Sequence, residues 1–215
     1  MIESSNILKK GLDLIGIQYS ARQFKMLELY IGEIELWNIK YKLVGARGEE
    51  LIVRHILDSL SAIPELNKLS FSTAADVGSG AGLPGIPLSI FYPEVKFSLI
   101  ERSGRRSGFL RNVISLLKMG DRLQVIESEL EEVSKSYDLV LFRAFRKLAD
   151  YYSELERITS PKGFLFAYKG KLMSIEQEMT ELDRKVTTQI IPVNVPFLDE
   201  ERNFIIFTQL YPGKT

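Results

Sequence analysis

The stretch ADVGSGAGLPG, residues 75–85, sets Gly78, Gly80, Gly82 and Gly85 within eight positions, directly after a short apolar run. Glycine enters left-handed backbone freely and lets a main chain approach a ligand closely. Such a turn between a strand and a helix is how α/β folds bind nucleotides. Two spacings fit. Gly80, Gly82 and Gly85 satisfy G-x-G-x-x-G, the dinucleotide fingerprint, which alone is a common pattern. Asp76 with Gly78, Gly80 and Gly82 satisfies D-x-G-x-G-x-G. Both share Glu101, which closes the next apolar run at the roughly twenty-residue spacing of an acid that grips a ribose diol. A tight turn that binds nothing would not require four glycines and two placed acids together.

Asp76 separates the two spacings. A fixed carboxylate at a low-dielectric loop would repel a diphosphate by about a few kcal/mol at an effective dielectric near 20. It would favour a cationic ligand. S-adenosylmethionine carries a sulfonium, an α-ammonium and a ribose, and no phosphate. The glycines then give close backbone approach, Asp76 faces the positive end, and Glu101 takes the ribose hydroxyls.

Around this loop the chain changes character. Phe24, Leu27, Ile31 and Ile34, widened by Met26, Tyr30 and Trp37, give residues 19–37 the three-and-four spacing of an amphipathic helix. A second helix is predicted over 49–63, ending at Pro64. Beyond residue 65 strands and helices alternate, with strands expected at 71–77, 96–101, 122–128, 137–145 and 163–170. Pro84 and Pro87 suit the first turn of a helix after the glycines. A helix over 103–120 buries Phe109, Leu110, Val113, Leu116 and Leu117 and is capped by Gly120; another covers 148–159. Runs 185–195 and 203–210 form an antiparallel edge pair, where Pro192 is tolerated. The expectation is an α/β, Rossmann-like fold with a mostly parallel seven-stranded sheet. A helical segment over 1–65 packs on a ligand-binding domain over 66–215. With 215 residues, 45% hydrophobic and 26% charged, the chain suits one large core plus an appendage.

Composition excludes several chemistries. There is no Cys, so disulfides and a thiolate nucleophile are excluded, and a single His makes a metal site unexpected. The formal net charge is +0, so any nucleic-acid contact must come from local basic clusters. The acidic, short-cored N-terminus is unlike a signal peptide, and no run approaches the roughly eighteen apolar residues of a membrane span. A soluble, cytoplasmic protein is expected.

DVGSGAGLPGIPLSI resembles the signature of the glucose-inhibited division protein B family, the bacterial 16S ribosomal RNA guanine-N7 methyltransferases. WNIKYKLVG, RHILDSL, DLVLFRAF, FAYKGK and ERNFIIF resemble further family elements, in order, from about residue 20 to the C-terminus. The resemblance implies a class I methyltransferase that uses S-adenosyl-L-methionine on 16S ribosomal RNA or the small ribosomal subunit; a monomer is expected. It places cofactor contacts on Gly78, Leu83, Glu101, Leu130, Glu131 and Arg143. The chain departs from the pattern at Lys42, Val44, Glu129 and Phe142, where Asn, Thr, Arg and Ser are usual.

Methylating guanine N7 removes no proton, so a chain with one His and no Cys is compatible with it. Arg143, after DLVLF, is the candidate to position base or cofactor. RNA contact is assigned to Arg146, Lys169, Lys171 and, at the site's edge, His55, with Arg102, Arg105, Arg106 and Arg111 as a second basic cluster. Asp58, one turn beyond His55, could pair with it. Phe145 and Tyr168 are candidates to stack on a base. The alternatives are a methyltransferase of the same fold acting on a small molecule or protein, and a non-catalytic dinucleotide-binding module.

Overall fold

The computed structural model describes residues 2–143, 147–182 and 186–207. Strand β1 (Thr73–Val77) is buried along its length after Thr73, as a strand covered on both faces must be. It pairs in parallel with β2 (Lys96–Ile100) on one side and β4 (Tyr137–Arg143) on the other. With β3 (Leu123–Ile126), β5 (Thr159–Lys169), β6 (Thr188–Val193) and β7 (Arg202–Phe207), the order across the seven-stranded sheet is β3-β2-β1-β4-β5-β7-β6. Only β7 runs opposite to the other strands, paired antiparallel with β5 on one side and β6 on the other, and Pro192 sits on the edge strand β6, where no further neighbour needs its missing N–H.

Side-chain alternation divides the sheet into two apolar layers. Ala74, Leu139 and Leu141 face one layer, built with the N-terminal helices; Ala75, Val77, Val140 and Phe142 face the other. The first layer comprises α1 (Ile2–Ile15), α2 (Ala21–Tyr41), α6 (Gly85–Phe91), α7 (Gly104–Leu116) and the helical segment between residues 48 and 66. The second comprises α8 (Leu148–Arg157) and α9 (Leu172–Thr180).

Several boundaries differ from the sequence expectation. The helix over 49–63 divides into α3 (Gly48–Leu51), a π-helical stretch Ile52–Leu57 and α4 (Asp58–Leu60). Pro64 does not end it but stands in the first turn of α5 (Ile63–Leu66), where its missing N–H is harmless. Helix α7 stops three residues short of Gly120. Lys118, at φ 54, takes the left-handed position, with its N–H on the Ser115 carbonyl and the Met119 N–H on the Ile114 carbonyl. Leu116, expected in the core, is 41% exposed, and Ile114 is buried instead. Helix α9 was not foreseen; only its Ile175 is buried, so no apolar stripe marks it. Among the described residues no helix is long and apolar enough to cross a membrane.

Candidate functional site: two clefts at the strand ends

At the C-terminal end of β1 the chain turns through Gly78, Gly80 and Gly82, with φ of 69, 59 and 89°. Each lies where an L side chain is strained. Their roles differ. Gly78 is exposed and lines a cleft of about 190 Å³ with Glu101, Arg102, Arg106, Ser128, Glu129, Leu130, Glu131 and Tyr151. Gly80 is half-buried, and a Cβ there would meet nothing nearer than 3.8 Å. Gly82 faces inward: a Cβ would stand 2.4 Å from the Ile86 Cδ1, so this glycine packs helix α6 rather than meeting a ligand. Leu83 is likewise buried in the core, 5% exposed.

Asp76 does not face the cleft, which corrects the picture of a bare anion beside the ligand. Strand alternation turns it toward α6, fully buried, with Oδ2 accepting the Gly85 N–H at 3.0 Å. Burial pushes its pKa up to about 7 against the pull of that amide. It holds the loop from beneath, and Tyr30 of α2 holds it from behind by donating to the Ala81 carbonyl at 2.7 Å.

Glu101 does line the cleft, only 4% exposed. Its Oε2 accepts the Gly80 N–H and its Oε1 the Ser103 N–H, both at 2.9 Å. Each oxygen keeps a further lone pair, so the carboxylate can still accept hydroxyls. Leu130 and Glu131 stand on a 3-10 turn, Leu130–Glu132, with Leu130 buried and Glu131 exposed. Arg157 fixes that turn from α8, donating to the carbonyls of Val133, Leu130 and Glu131. Glu129, the departure from Arg, pairs with Arg102 at 3.2 Å.

A second cleft, of about 400 Å³, opens at the ends of β4 and β5. Its lining includes Arg54, His55, Asp58, Arg143, Tyr168, Lys169 and Arg202. Asp58, buried at 5% exposure, is its hub. Oδ2 accepts from Arg143 Nη1 at 3.0 Å and Oδ1 from Arg202 Nε at 3.3 Å. Arg143 Nη2 lies 3.1 Å from His55 Nδ1. Burial, then the charges of Arg143, Arg54 and Arg202, push the His55 pKa down to about 4. His55 is therefore neutral at pH 7, and the pair expected between Asp58 and His55 is replaced by one between Asp58 and two arginines.

The remaining candidates separate. Arg143 lines this second cleft and not the first. Lys169 lies in it too, paired with Glu178, and Lys171 is exposed at the start of α9. Tyr168 is 5% exposed and donates to the Ser59 carbonyl, a core position rather than an open stacking platform. Arg105 stacks on Tyr41, 5.7 Å from the ring centroid, and Arg111 pairs with Glu127. Arg146 and Phe145 fall outside the described residues. Among those residues, no cluster of acids and His could hold a metal ion. Sequence reading missed Arg202 and Arg157, whose partners lie 144 and 24–27 residues away, beyond any local signal.

The profile of the family described as rRNA small subunit methyltransferase G (GidB) matches residues 23–205. The ribosomal RNA small subunit methyltransferase G of Salmonella arizonae is 37% identical over 205 residues, covering 94% of this chain and 96% of that one. That of Borrelia turicatae is 31% identical over 203 residues, with 94% and 98% coverage. Among solved structures, a SAM-dependent methyltransferase from Aquifex aeolicus superposes with a TM-score of 0.56 at 14% identity, covering 73% of this chain and 91% of that one. That last likeness is one of fold.

Proposed function

Because the chain belongs to the rRNA small subunit methyltransferase G family, we propose that it transfers a methyl group from S-adenosyl-L-methionine to guanine N7 of 16S ribosomal RNA. The observation that carries this reading is the adjacency of the two clefts. Val77 pairs with Phe142 on neighbouring parallel strands, so Gly78 and Arg143, the next residues, open the two clefts side by side. This is the edge of an α/β sheet at which ligands bind.

The residues present fit the cofactor. The first cleft has room for a nucleoside-sized group, an acid with spare lone pairs for ribose hydroxyls, and an apolar wall at Leu130. A diphosphate is poorly served: the Gly85 N–H at the start of α6, which would receive it, is already taken by Asp76. That disfavours the dinucleotide module. When bound, S-adenosylmethionine supplies a methyl group on a sulfonium sulfur.

Guanine N7 offers a lone pair and no proton, so the site needs orientation and dryness rather than a general base. Neutral His55 and the paired arginines suit that requirement. Arg143 gives its Nη1 and Nη2 to Asp58 and His55, so it acts as a positioning residue for the acceptor cleft. Asp58 and Glu178 at the cleft are already engaged by Arg143, Arg202 and Lys169, so they screen those cations from the base, which itself gains positive charge as N7 is methylated. The RNA backbone would meet Lys171 and the α7 arginines, in a contact weakened by salt. We take the chain to act as a monomer in the cytoplasm, on free 16S RNA or on the assembled small subunit.

Calorimetry with S-adenosylhomocysteine and with NAD tests the cofactor, and mass spectrometry of 16S RNA, free and in subunits, tests the product. Binding of the first ligand alone, with new 7-methylguanine, is expected. Tight NAD binding without S-adenosylhomocysteine binding would overturn the reading.

A further inference from the structure

The tautomer of His55 is fixed by its partner. A guanidinium has only donors, so the nitrogen facing Arg143 Nη2 at 3.1 Å, Nδ1, must accept. The proton of the neutral ring therefore sits on Nε2. Arg143 cannot turn away, because its Nη1 is held by the buried carboxylate of Asp58, itself tied to Arg202. Arg143 is 16% exposed, and the ring it steers stands on the π-helical stretch Ile52–Leu57 at the wall of the 400 Å³ cleft. No hydrogen-bond partner of Nε2 occurs among the described residues. The cleft thus has a neutral, donor-only group whose direction is set from behind.

Guanine chemistry gives such a group a use. The Hoogsteen edge of guanine presents two acceptors, O6 and N7, and proteins commonly read it with both arms of an arginine. That mode is closed to an enzyme that methylates N7, because a donor on N7 would occupy the lone pair that must attack. A single donor on O6 keeps N7 free and still rejects adenine, which presents an amino group there.

We propose that His55 Nε2–H is the residue that selects guanine, by donating to O6 while Asp58 and Arg143 hold the ring. The assignment rests on the functional reading above. It makes His55 a specificity determinant that contacts the base, and Arg143 and Asp58 its positioning residues.

The test replaces the target guanine in small subunits with inosine, which keeps O6 and lacks the 2-amino group, or with 2-aminopurine, which keeps N7 and lacks O6. The wild type should methylate guanine and inosine alike, and 2-aminopurine about ten- to hundredfold less well in kcat/KM. His55→Ala should lose that factor on guanine and nothing on 2-aminopurine. His55→Gln, whose amide N–H can reach the position of Nε2–H, should restore part of it. S-adenosylhomocysteine affinity serves as the folding control. If His55→Ala fails that control, the wild-type comparison decides alone: equal rates on guanine and 2-aminopurine overturn the assignment. So does an His55→Ala enzyme that loses activity equally on both bases or keeps the wild-type ratio. A wild type that methylates none of these bases while binding S-adenosylhomocysteine would instead overturn the functional reading, and the assignment with it.

Discussion

Asp76 and His55 carry opposite pH signatures. The Asp76 carboxyl, raised by burial to about 7 from an ordinary 3.8, binds its proton more tightly folded than unfolded. Its contribution to stability is present below about pH 4 and is lost as pH rises through 7. His55, lowered to about 4 from 6.5, binds its proton less tightly folded. Its contribution is present above pH 6.5 and is lost as pH falls toward 4. Between those limits the two oppose each other. Asp76→Asn keeps an oxygen for the Gly85 N–H and removes one of the two titrations. Urea unfolding from pH 4 to 8 should show the variant gaining stability relative to wild type as pH rises; a constant difference would mean Asp76 stays ionised. The Lys42 departure also acts at this scale. Lys42 caps α2 at φ 48, a left-handed position that Asn, the usual family residue, tolerates better, at a cost of about 1 kcal/mol.

Among the elements, the 3-10 turn Leu130–Glu132 shows how a second layer shapes a binding wall. Three carbonyls at or near the turn accept from one guanidinium, that of Arg157, and nothing in SELEEV itself specifies this. Arg157→Ala should cost about 2 kcal/mol of stability, as for other lost charge-assisted bonds. It should also weaken S-adenosylhomocysteine binding about tenfold by calorimetry, about 1.4 kcal/mol. Unchanged affinity would mean that the turn keeps its shape unaided. Elements whose burial pattern was regular were legible beforehand: β1, β2 and β4 are covered on both faces and read as apolar runs. Helix α9 was not, because one buried residue makes no period, and the end of α7 was misread because Lys118 took a position where Gly is the common choice.

Over the whole molecule, the helices before residue 67 and the sheet after it share one apolar core. Leu8, Leu12, Tyr30 and Leu57 of the helical segment share one apolar cluster with Phe97, Leu141 and Phe204 of the sheet. Gly11 packs so closely that a Cβ would stand 2.3 Å from Leu57 Cδ1, joining α1 to the π-helical stretch. Calorimetric unfolding is therefore expected as one transition, with matching calorimetric and van't Hoff enthalpies. Two resolved transitions would make the helical segment an independent domain. Periodicity and glycine spacing determined the alternation of strands and helices and the place of the loop, because hydrophobic period and left-handed backbone are local properties of the chain. Local pattern could not say that Asp76 faces α6 while Glu101 faces the cleft, since alternation names two faces but not what covers each. Nor could it join His55 and Asp58 to Arg143 and Arg202, residues 85 and more apart in sequence that share hydrogen bonds only because the sheet and the helical layer close over one core.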